Sequence, residues 1–239
     1  MIKKIKSLVY FELNITLDNK IVLVYTLVFP IIFLLFNRNA NITNDSYLYG
    51  YWSYIIVTGI LSGIVAGTIS MRESNFLKMF SYLAKSKGYV FVSNLISQII
   101  VLELELLIFN IFSMLIARNF NIKIIIYCFL SSLIMIPLCG MFVSFFLVMK
   151  MRQNTFNVLL NGYLLIMLAS FYVKFNTTIT WILMAINPFV YFSNMYKLFT
   201  FQQVDFINLV VLVFLGIAYS LIGVISIRRM PIIGVTNRY

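Results

Sequence analysis

The chain has 239 residues, of which 62% are hydrophobic and 10% charged, and its mean hydropathy is +0.98. Soluble domains carry about 25% charged residues, so this composition excludes an ordinary soluble protein and predicts an all-α integral membrane protein. The net charge of +11 would suit nucleic acid, but the basic residues mark the ends of apolar runs, as lipid headgroups require; no nucleic-acid partner is expected. Histidine is absent, which excludes HExxH metal sites and Ser-His or Cys-His nucleophile pairs.

The first twenty residues, MIKKIKSLVYFELNITLDNK, form a basic amphipathic stretch. Apolar side chains recur at helical spacing at Ile2, Ile5, Leu8, Val9 and Leu13. Such a helix buries its apolar face at the lipid boundary and keeps its lysines near phosphates. The pattern therefore predicts an interfacial helix over residues 1–20. No small-residue cleavage site follows the next apolar run, which favours a retained span over a signal peptide.

Six apolar segments are candidates to cross a bilayer, which takes about 20 residues per helix. They are 21–36, 51–71, 89–117, 124–149, 154–173 and 206–227. The segment 175–196 is broken by Asn187-Pro188, and it is predicted to be an extracellular re-entrant pair of short helices. With six spans 13 Lys and Arg lie inside and 5 outside, against 11 and 7 with seven spans. The positive-inside rule therefore favours six spans with both termini in the cytoplasm.

Charged residues interrupt the apolar pattern between spans 2 and 3, at RESNFLKMFSYLAKSKG (72–88). On a helix, four apolar side chains of this segment share one face: Phe76, Met79, Phe80 and Leu83. A basic amphipathic helix at this place either rests on the inner leaflet or docks into a groove of a cytoplasmic partner. Docking is favoured because a force on this segment would pass directly to both spans.

Span 2 contains TGILSGIVAGTIS, in which Gly59, Gly63 and Gly67 repeat every four residues. Small residues let helix backbones approach closely in a bilayer. The stripe therefore indicates either packing within one subunit, or a subunit seam or pore lining.

Span 5 begins RQNTFNVLLNGY, which puts Asn154, Asn157 and Asn161 on one helix face near the cytoplasmic end. Amides within a span usually hydrogen-bond a neighbouring helix. They are also the best candidates for the inner mouth of a substrate path.

Span 3 carries two carboxylates, Glu103 and Glu105, in VLELELLIF. Each costs about 3 kcal/mol near a helix centre. Being two residues apart, they point in different directions and cannot form one carboxylate pair. An intramembrane carboxylate is either functional or bound to a structural partner.

The layout of these elements resembles the membrane subunit of an ABC-2 type exporter over essentially the whole chain. The Arg72-Glu73 pair is frequent in that family, whereas the following SNFLKMF departs from the family's Gly-Thr-Leu-Glu-like stretch. The resemblance implies that 72–88 is a coupling helix seated in a cleft of an ATP-binding subunit. The coupling residues it implies are Arg72, Glu73, Phe76, Leu77, Met79, Phe80 and Leu83. It also implies that spans 2 and 5 line a central cavity.

The sequence contains no GxxxxGK[ST] phosphate loop, so no cofactor is expected on this chain and it is not expected to be an enzyme. The resemblance implies ATP and Mg on two copies of a separate cytoplasmic ATPase, and a second permease subunit that completes a homodimer. The expected cargo is an amphipathic peptide or lipid-like molecule, such as a phenol-soluble modulin or a bacteriocin, exported across a bacterial cytoplasmic membrane.

Two other functions remain open at this stage. The first is a secondary transporter or channel that works without an ATPase and uses Glu105 as its ion or proton site. The second is a non-transporting immunity membrane protein. An intramembrane enzyme is disfavoured because the chain lacks histidine and carboxylates paired on one face.

Overall fold

A computed structural model describes residues 2–18, 20–36, 48–117, 120–172, 177–199 and 206–234, and these residues form helices and short connections without strands. The helices are α1 (Ile2–Asp18), α2 (Lys20–Phe36), α3 (Leu48–Ile60), α4 (Gly67–Glu73), α5 (Phe76–Ala84), α6 (Lys87–Ala117), α7 (Ile122–Val143), α8 (Gln153–Tyr172), α9 (Thr177–Ile186), α10 (Pro188–Phe199) and α11 (Phe206–Arg229). A π-helical turn, Leu61–Ala66, joins α3 to α4, and a 3₁₀ segment, Ser144–Val148, extends α7. The expectation of an all-helical protein is confirmed for the described residues.

Four helices of the described chain are long and apolar enough to cross a membrane: Leu48–Glu73, Lys87–Ala117, Ile122–Val148 and Phe206–Arg229. They correspond to the predicted spans 2, 3, 4 and 6. The bent pair Lys6–Asp18 and Leu23–Phe36, with 56° between its helices, gives a fifth if it is counted as one span.

The predicted spans 1 and 5 are also helical, as α2 and α8, but by themselves they are not among the four found in the described part of the chain. The 17 residues of α2 reach about 26 Å, less than the hydrocarbon thickness of about 30 Å. Six spans therefore stay a prediction.

The helix formed by α3, the π turn and α4 is the centre of the bundle. Within an apolar stretch of 18 residues in this helix, 72% is buried inside the structure, whereas in the corresponding stretch of α11 only 22% is buried. Its neighbours are α2, α6, α7 and α10. Next to Trp52 of α3, the ring of Tyr196 from α10 lies 4.9 Å away, and Tyr49 stacks on Tyr196 at 6.0 Å. Large buried rings of this kind supply much of the packing energy of a core.

The amino-terminal helix is present as predicted, and its inner face packs along α6. The predicted apolar positions Leu8, Val9 and Leu13 are partly buried, but the same face also carries Glu12 and Thr16. Its exposed side includes Lys6 and Tyr10. The placement of this helix at the lipid interface stays a prediction. Of its predicted apolar positions, the side chains of Ile2 and Ile5 lie outside the described part of the structure.

A helix break lies at the predicted Asn187-Pro188, with α9 ending at Ile186 and α10 beginning at Pro188; an extracellular re-entrant pair over 175–196 stays a prediction. Asn187 is fully buried, and its Oδ1 accepts a hydrogen bond from the Phe189 N–H at 2.9 Å, as an N-cap residue does. Its Nδ2 donates to the Met167 carbonyl and the Ser170 hydroxyl of α8, both at 2.8 Å. Proline suits the first helical position because its missing N–H would have no partner there. One side chain thus starts α10 and fastens it to α8.

Replacing Asn187 by Ala removes the cap and its two contacts with α8. We expect the unfolding free energy to fall by about 1–2 kcal/mol, the usual cost of losing a cap, measured as a lower Tm of the purified protein. Asn14→Ala is the control, because Asn14 is exposed, and it should leave the Tm unchanged. Equal Tm values for the two variants would contradict the capping role.

Candidate functional site

The segment between spans 2 and 3 contains a nine-residue helix, α5, bounded by two residues in the left-handed conformation, Asn75 (φ 64°) and Lys85 (φ 63°). These two backbone reversals set α5 apart from α4 and α6, so the helix is shorter than the predicted 72–88. Its inner face is formed by Leu77, Phe80, Ser81 and Ala84.

The apolar surface of α5 is wider than the bundle covers. Of the face predicted from the sequence, Phe80 is 9% exposed, whereas Phe76, Met79 and Leu83 are 49%, 46% and 61% exposed. Tyr82 beside them is also exposed, and so are the neighbouring residues Lys78 and Lys85. We call Phe76, Met79, Tyr82 and Leu83 the α5 stripe. It is an apolar strip flanked by positive charge.

Arg72, the last basic residue before α5, is only 1% exposed. Its guanidinium donates hydrogen bonds to the carbonyls of Leu147 (3.4 Å), Met149 (2.9 Å) and Met151 (2.8 Å). These carbonyls belong to the end of the 3₁₀ segment and the connection to α8, where a helix leaves acceptors without partners. Arg72 therefore joins the α4–α5 turn to the α7–α8 connection instead of presenting itself to a partner. Glu73 Oε1 lies 3.9 Å from Arg72 Nε.

The carboxy-terminal segment after α11 contacts the same region. Lys87 Nζ, in the first turn of α6, donates to the Met230 carbonyl at 2.8 Å. A Cβ at Gly234 would stand 3.0 Å from the Arg72 carbonyl oxygen and 3.1 Å from Glu73 Cα, so only glycine fits there without a shift. On the other side, the ring of Phe11 from α1 meets Phe80 edge-on at 5.1 Å. The base of α5 is thus held by three separate parts of the chain: the α7–α8 connection, the segment after α11 and α1.

The glycine stripe of span 2 divides into two parts. A Cβ at Gly59 would overlap Leu102 of α6, and one at Gly63 would overlap the Gln98 amide, whereas one at Gly67 would meet nothing within 4 Å. Gly59 and Gly63 are therefore sites of close packing within the subunit. Gly63 also lies in the π turn, a distortion that is common at functional sites.

The asparagines of α8 face away from the rest of the chain. Asn154, Asn157 and Asn161 are all exposed, while Phe156, Leu160 and Leu164 on the other face are buried. The expected hydrogen bonds between these amides and a neighbouring helix of the same chain are not found among the described residues. A stripe of three amides on an otherwise apolar helix requires water or another polypeptide beside it.

The two carboxylates of α6 point to different neighbours, as predicted. Glu103 Oε1 accepts a hydrogen bond from Ser132 of α7 at 2.6 Å. Glu105 Oε1 accepts one from Thr26 of α2 at 2.9 Å, and its Oε2 has no hydrogen-bond partner among the described residues. Both are nearly buried, at 9% and 6% exposure.

Glu103 belongs to a larger group of buried polar side chains that joins four helices. Trp52 Nε1 of α3 donates to Asn110 Oδ1 of α6 at 2.9 Å. Cys128 of α7 lies next to Asn110 and Glu103, and the Tyr196 hydroxyl of α10 lies next to Cys128. Sequence patterns identified the carboxylates but not their partners, because Ser132, Trp52 and Tyr196 come from helices whose mutual contacts only the fold establishes.

Glu12 is a buried carboxylate that the sequence patterns missed. It is 2% exposed, in α1, against α6. Its position within the apolar face of an amphipathic helix, one turn after Leu8 and one turn before Thr16, was the available signal. Within the described part of the chain, no group of three or more Cys, Asp or Glu side chains is placed to hold a metal ion.

No protein family model, no curated protein and no solved structure matches the chain. The features of the molecule that indicate a function are therefore the α5 stripe, the anchor at Arg72 and the exposed face of α8.

Arg72→Met should leave the Met149 and Met151 carbonyls unpaired while keeping most of the side-chain volume. Each buried unsatisfied group costs about 1–3 kcal/mol, so we expect a markedly lower Tm and faster proteolysis at the α7–α8 connection. Arg152→Met, at an exposed position in that connection, is the control and should behave as wild type. A wild-type Tm for Arg72→Met would rule out the anchor.

Gly63→Leu and Gly67→Leu make the same change at neighbouring positions of one stripe. Overpacking against Gln98 should cost Gly63→Leu about 1–3 kcal/mol. Gly67→Leu should keep the stability of the isolated subunit, since nothing lies within 4 Å and Leu favours helix more than Gly does. The stability of both variants is measured by thermal unfolding of the monomer in detergent. Equal losses of stability would contradict the conclusion that Gly63 is closely packed and Gly67 is not.

Proposed function

We propose that this chain is the permease subunit of an ATP-driven exporter of the ABC-2 type, and that a separate ATPase subunit docks on α5. The observation that carries the proposal is the α5 stripe: apolar side chains left exposed at one end of the bundle, between two lysines. An exposed apolar patch with a charged rim is typical of an interaction site.

The contacts at the base of α5 would allow a displacement of this helix to be transmitted to other helices. Arg72 links the start of α5 to the α7–α8 connection, and Lys87 links the start of α6 to Met230 after α11. A displacement of α5 by a closing ATPase dimer would therefore be passed to α4, α6, α8 and α11 together. Packed helices transmit such motions because their interfaces have discrete arrangements and do not deform continuously.

The meeting of chain segments near Arg72 supports six crossings with both termini on one side. The end of α4, the beginning of α6, the end of the 3₁₀ segment, the beginning of α8 and the end of α11 all lie at this end of the bundle. The exposed basic residues Lys78, Lys85, Arg152, Arg228 and Arg229 belong to the same end. By the positive-inside rule this end would be cytoplasmic, where an ATPase could reach the α5 stripe.

The exposed amides of α8 support a second copy of the chain. Asn154, Asn157 and Asn161, and the open position at Gly67, would face either the seam of a homodimer or a path between its halves. Such a path would be apolar with a few amides and no fixed charge in these positions, which suits an amphipathic peptide or lipid-like cargo better than an inorganic ion.

A secondary transporter or channel is the second candidate. Glu105 Oε2, which has no hydrogen-bond partner among the described residues, favours it, because a buried carboxylate oxygen without a donor can hold a proton or a cation. Against it, Glu105 is 6% exposed and bonded to Thr26.

The test is mild-detergent purification from the native membrane, with native mass analysis of the intact complex. A complex of two copies of this chain and two copies of an ATPase with a phosphate loop is the expected result. Phe76→Glu should release the ATPase, because a charge would enter the apolar contact. Phe80 is unsuitable for this purpose, since it is buried and a charge there would disturb folding.

Phe120→Glu makes the same change at a 70% exposed phenylalanine near the other end of α6, and it should keep the ATPase bound. Retention of the ATPase by Phe76→Glu would exclude the α5 stripe as the docking site. A homo-oligomer without any ATPase would favour the secondary transporter, and a loss of ion flux in Glu105→Gln would then support that function.

A further inference from the structure

Helix α11 presents an apolar surface that the described part of the chain leaves open. Near the end of the helix, four apolar side chains are between 43% and 60% exposed: Leu221, Ile222, Val224 and Ile225. Gly223, on the opposite side, is buried. In a helix that crosses a bilayer, an open apolar surface of this kind contacts the acyl chains of lipids, which are as apolar as Leu.

Two arginines continue this surface at the end of α11. Arg228 follows Val224 by four residues and Ile225 by three, and Arg229 follows Ile225 by four. Residues at these spacings share a helix face, so both arginines stand at the end of the apolar surface. Both are exposed. Among the described residues, no ion pair involves either arginine.

The described carboxylates do not compensate this positive charge. The three glutamates of α1 and α6 are buried, and Glu73 lies 3.9 Å from Arg72. Asp18 is exposed, but it ends α1, a helix that packs against α6. The charge at the end of α11 is therefore not neutralised by the part of the chain that the structure describes.

Two further cations, Lys150 and Arg152, belong to the same end of the bundle. Helix α11 packs along the 3₁₀ segment, and Lys150 and Arg152 follow that segment in exposed positions. The connection that carries them is fixed, because Arg72 donates to the carbonyls on either side of Lys150. The positive charge at this end therefore comes from two anchored segments of the chain.

We propose that the end of α11 is a binding site for an anionic phospholipid. The acyl chains lie along Leu221, Val224 and Ile225, and the phosphate accepts hydrogen bonds from Arg228 and Arg229. Guanidinium groups bind phosphate oxygens through paired hydrogen bonds, and cations next to a span attract anionic headgroups. An acidic soluble protein would match the charge but leave the apolar surface uncovered. A zwitterionic lipid would cover that surface but carries no net charge.

Arginines at the end of a membrane helix also have two ordinary roles. They interact favourably with the negative end of the helix macrodipole, and they help to fix the orientation of the span. Neither role requires a bound lipid, and neither depends on the charge of a headgroup. Selective binding of an anionic lipid therefore distinguishes the proposed site from these roles.

The lipid site adjoins the segment that holds the base of α5. Directly after Arg229, the Met230 carbonyl accepts a hydrogen bond from Lys87 Nζ at 2.8 Å. Gly234 then lies against the carbonyl oxygen of Arg72. A headgroup bound to Arg229 restrains this segment and thereby α5. Anionic lipid would then strengthen docking of the ATPase, a consequence that depends on the proposed function, whereas the lipid site itself does not.

Native mass spectrometry of the full chain in a non-ionic detergent tests the site without any ATPase. The protein is titrated with phosphatidylglycerol or with phosphatidylcholine of the same acyl chains, and the wild type should bind phosphatidylglycerol more tightly. The double variant Arg228→Gln with Arg229→Gln should bind phosphatidylglycerol roughly thirtyfold more weakly and phosphatidylcholine as before. Arg228→Lys with Arg229→Lys should keep most of the binding, because the charge is retained.

Lys78→Gln with Lys85→Gln is the matched control, since it removes the same charge at exposed positions of α5; it should bind phosphatidylglycerol as the wild type does. Arg228→Gln alone should weaken binding about fivefold, which provides a second variant in case the double variant does not fold.

Equal affinity of the wild type for the two lipids, or unchanged phosphatidylglycerol binding in both glutamine variants of α11, would overturn the proposal. So would an equal loss in the α5 control, because binding would then follow net charge and not this site. Displacement of the lipid by inorganic phosphate at constant ionic strength would assign the arginines to a free anion instead. If the lipid binds as expected but does not affect docking of the ATPase, only the link to docking fails.

Discussion

The contact of Arg72 with three backbone carbonyls is the interaction on which the functional end of the molecule depends. A guanidinium has five N–H donors and no acceptor, so it can satisfy several carbonyls at the end of a helix. Here it does so across 75 to 79 residues of sequence. Burying a charge is costly unless polar groups surround it. The segment that carries α5 is consequently tied to the beginning of α8, and the two cannot move independently.

Elsewhere in the bundle, buried charged side chains are also hydrogen-bonded to other parts of the chain. Each buried carboxylate of α6 is bonded to a hydroxyl from a different helix, Ser132 for Glu103 and Thr26 for Glu105. In an apolar environment such pairs specify which helices are neighbours, because a mismatched neighbour would leave the carboxylate without a donor. Close approach at Gly59 and Gly63 brings α3 and α6 together at the same level.

In the part of the chain that the structure describes, the α5 stripe and the amide face of α8 are both exposed. They differ in chemistry, since the first is apolar with a basic rim and the second is a row of amides on an apolar helix. Under the proposed function, the first would contact a water-soluble subunit, and the second would contact a second membrane helix or a water-filled path. Both surfaces meet at the connection that Arg72 holds.

The sequence by itself determined the helical class, four of the spans, and the break at Asn187-Pro188. These follow from local chemistry: apolar length decides whether a helix can cross a bilayer, and proline removes a backbone hydrogen-bond donor. Local periodicity also showed that Glu103 and Glu105 diverge, and it grouped the apolar residues of α5 on one face. It could not decide which part of that face is buried, since this depends on α1 and α6.

Only the tertiary structure decided the roles of several residues that the sequence had grouped together. Arg72 was grouped with the docking residues, but its side chain is buried against carbonyls that come from another part of the chain. Gly59, Gly63 and Gly67 are equivalent in sequence, and the position of α6 alone separates two packing sites from an open one. Glu12 looked like an ordinary residue of an amphipathic helix, but the fold buries it in α1, which packs against α6. In each case the deciding contact joins residues far apart in sequence, and helical periodicity carries no information about such contacts.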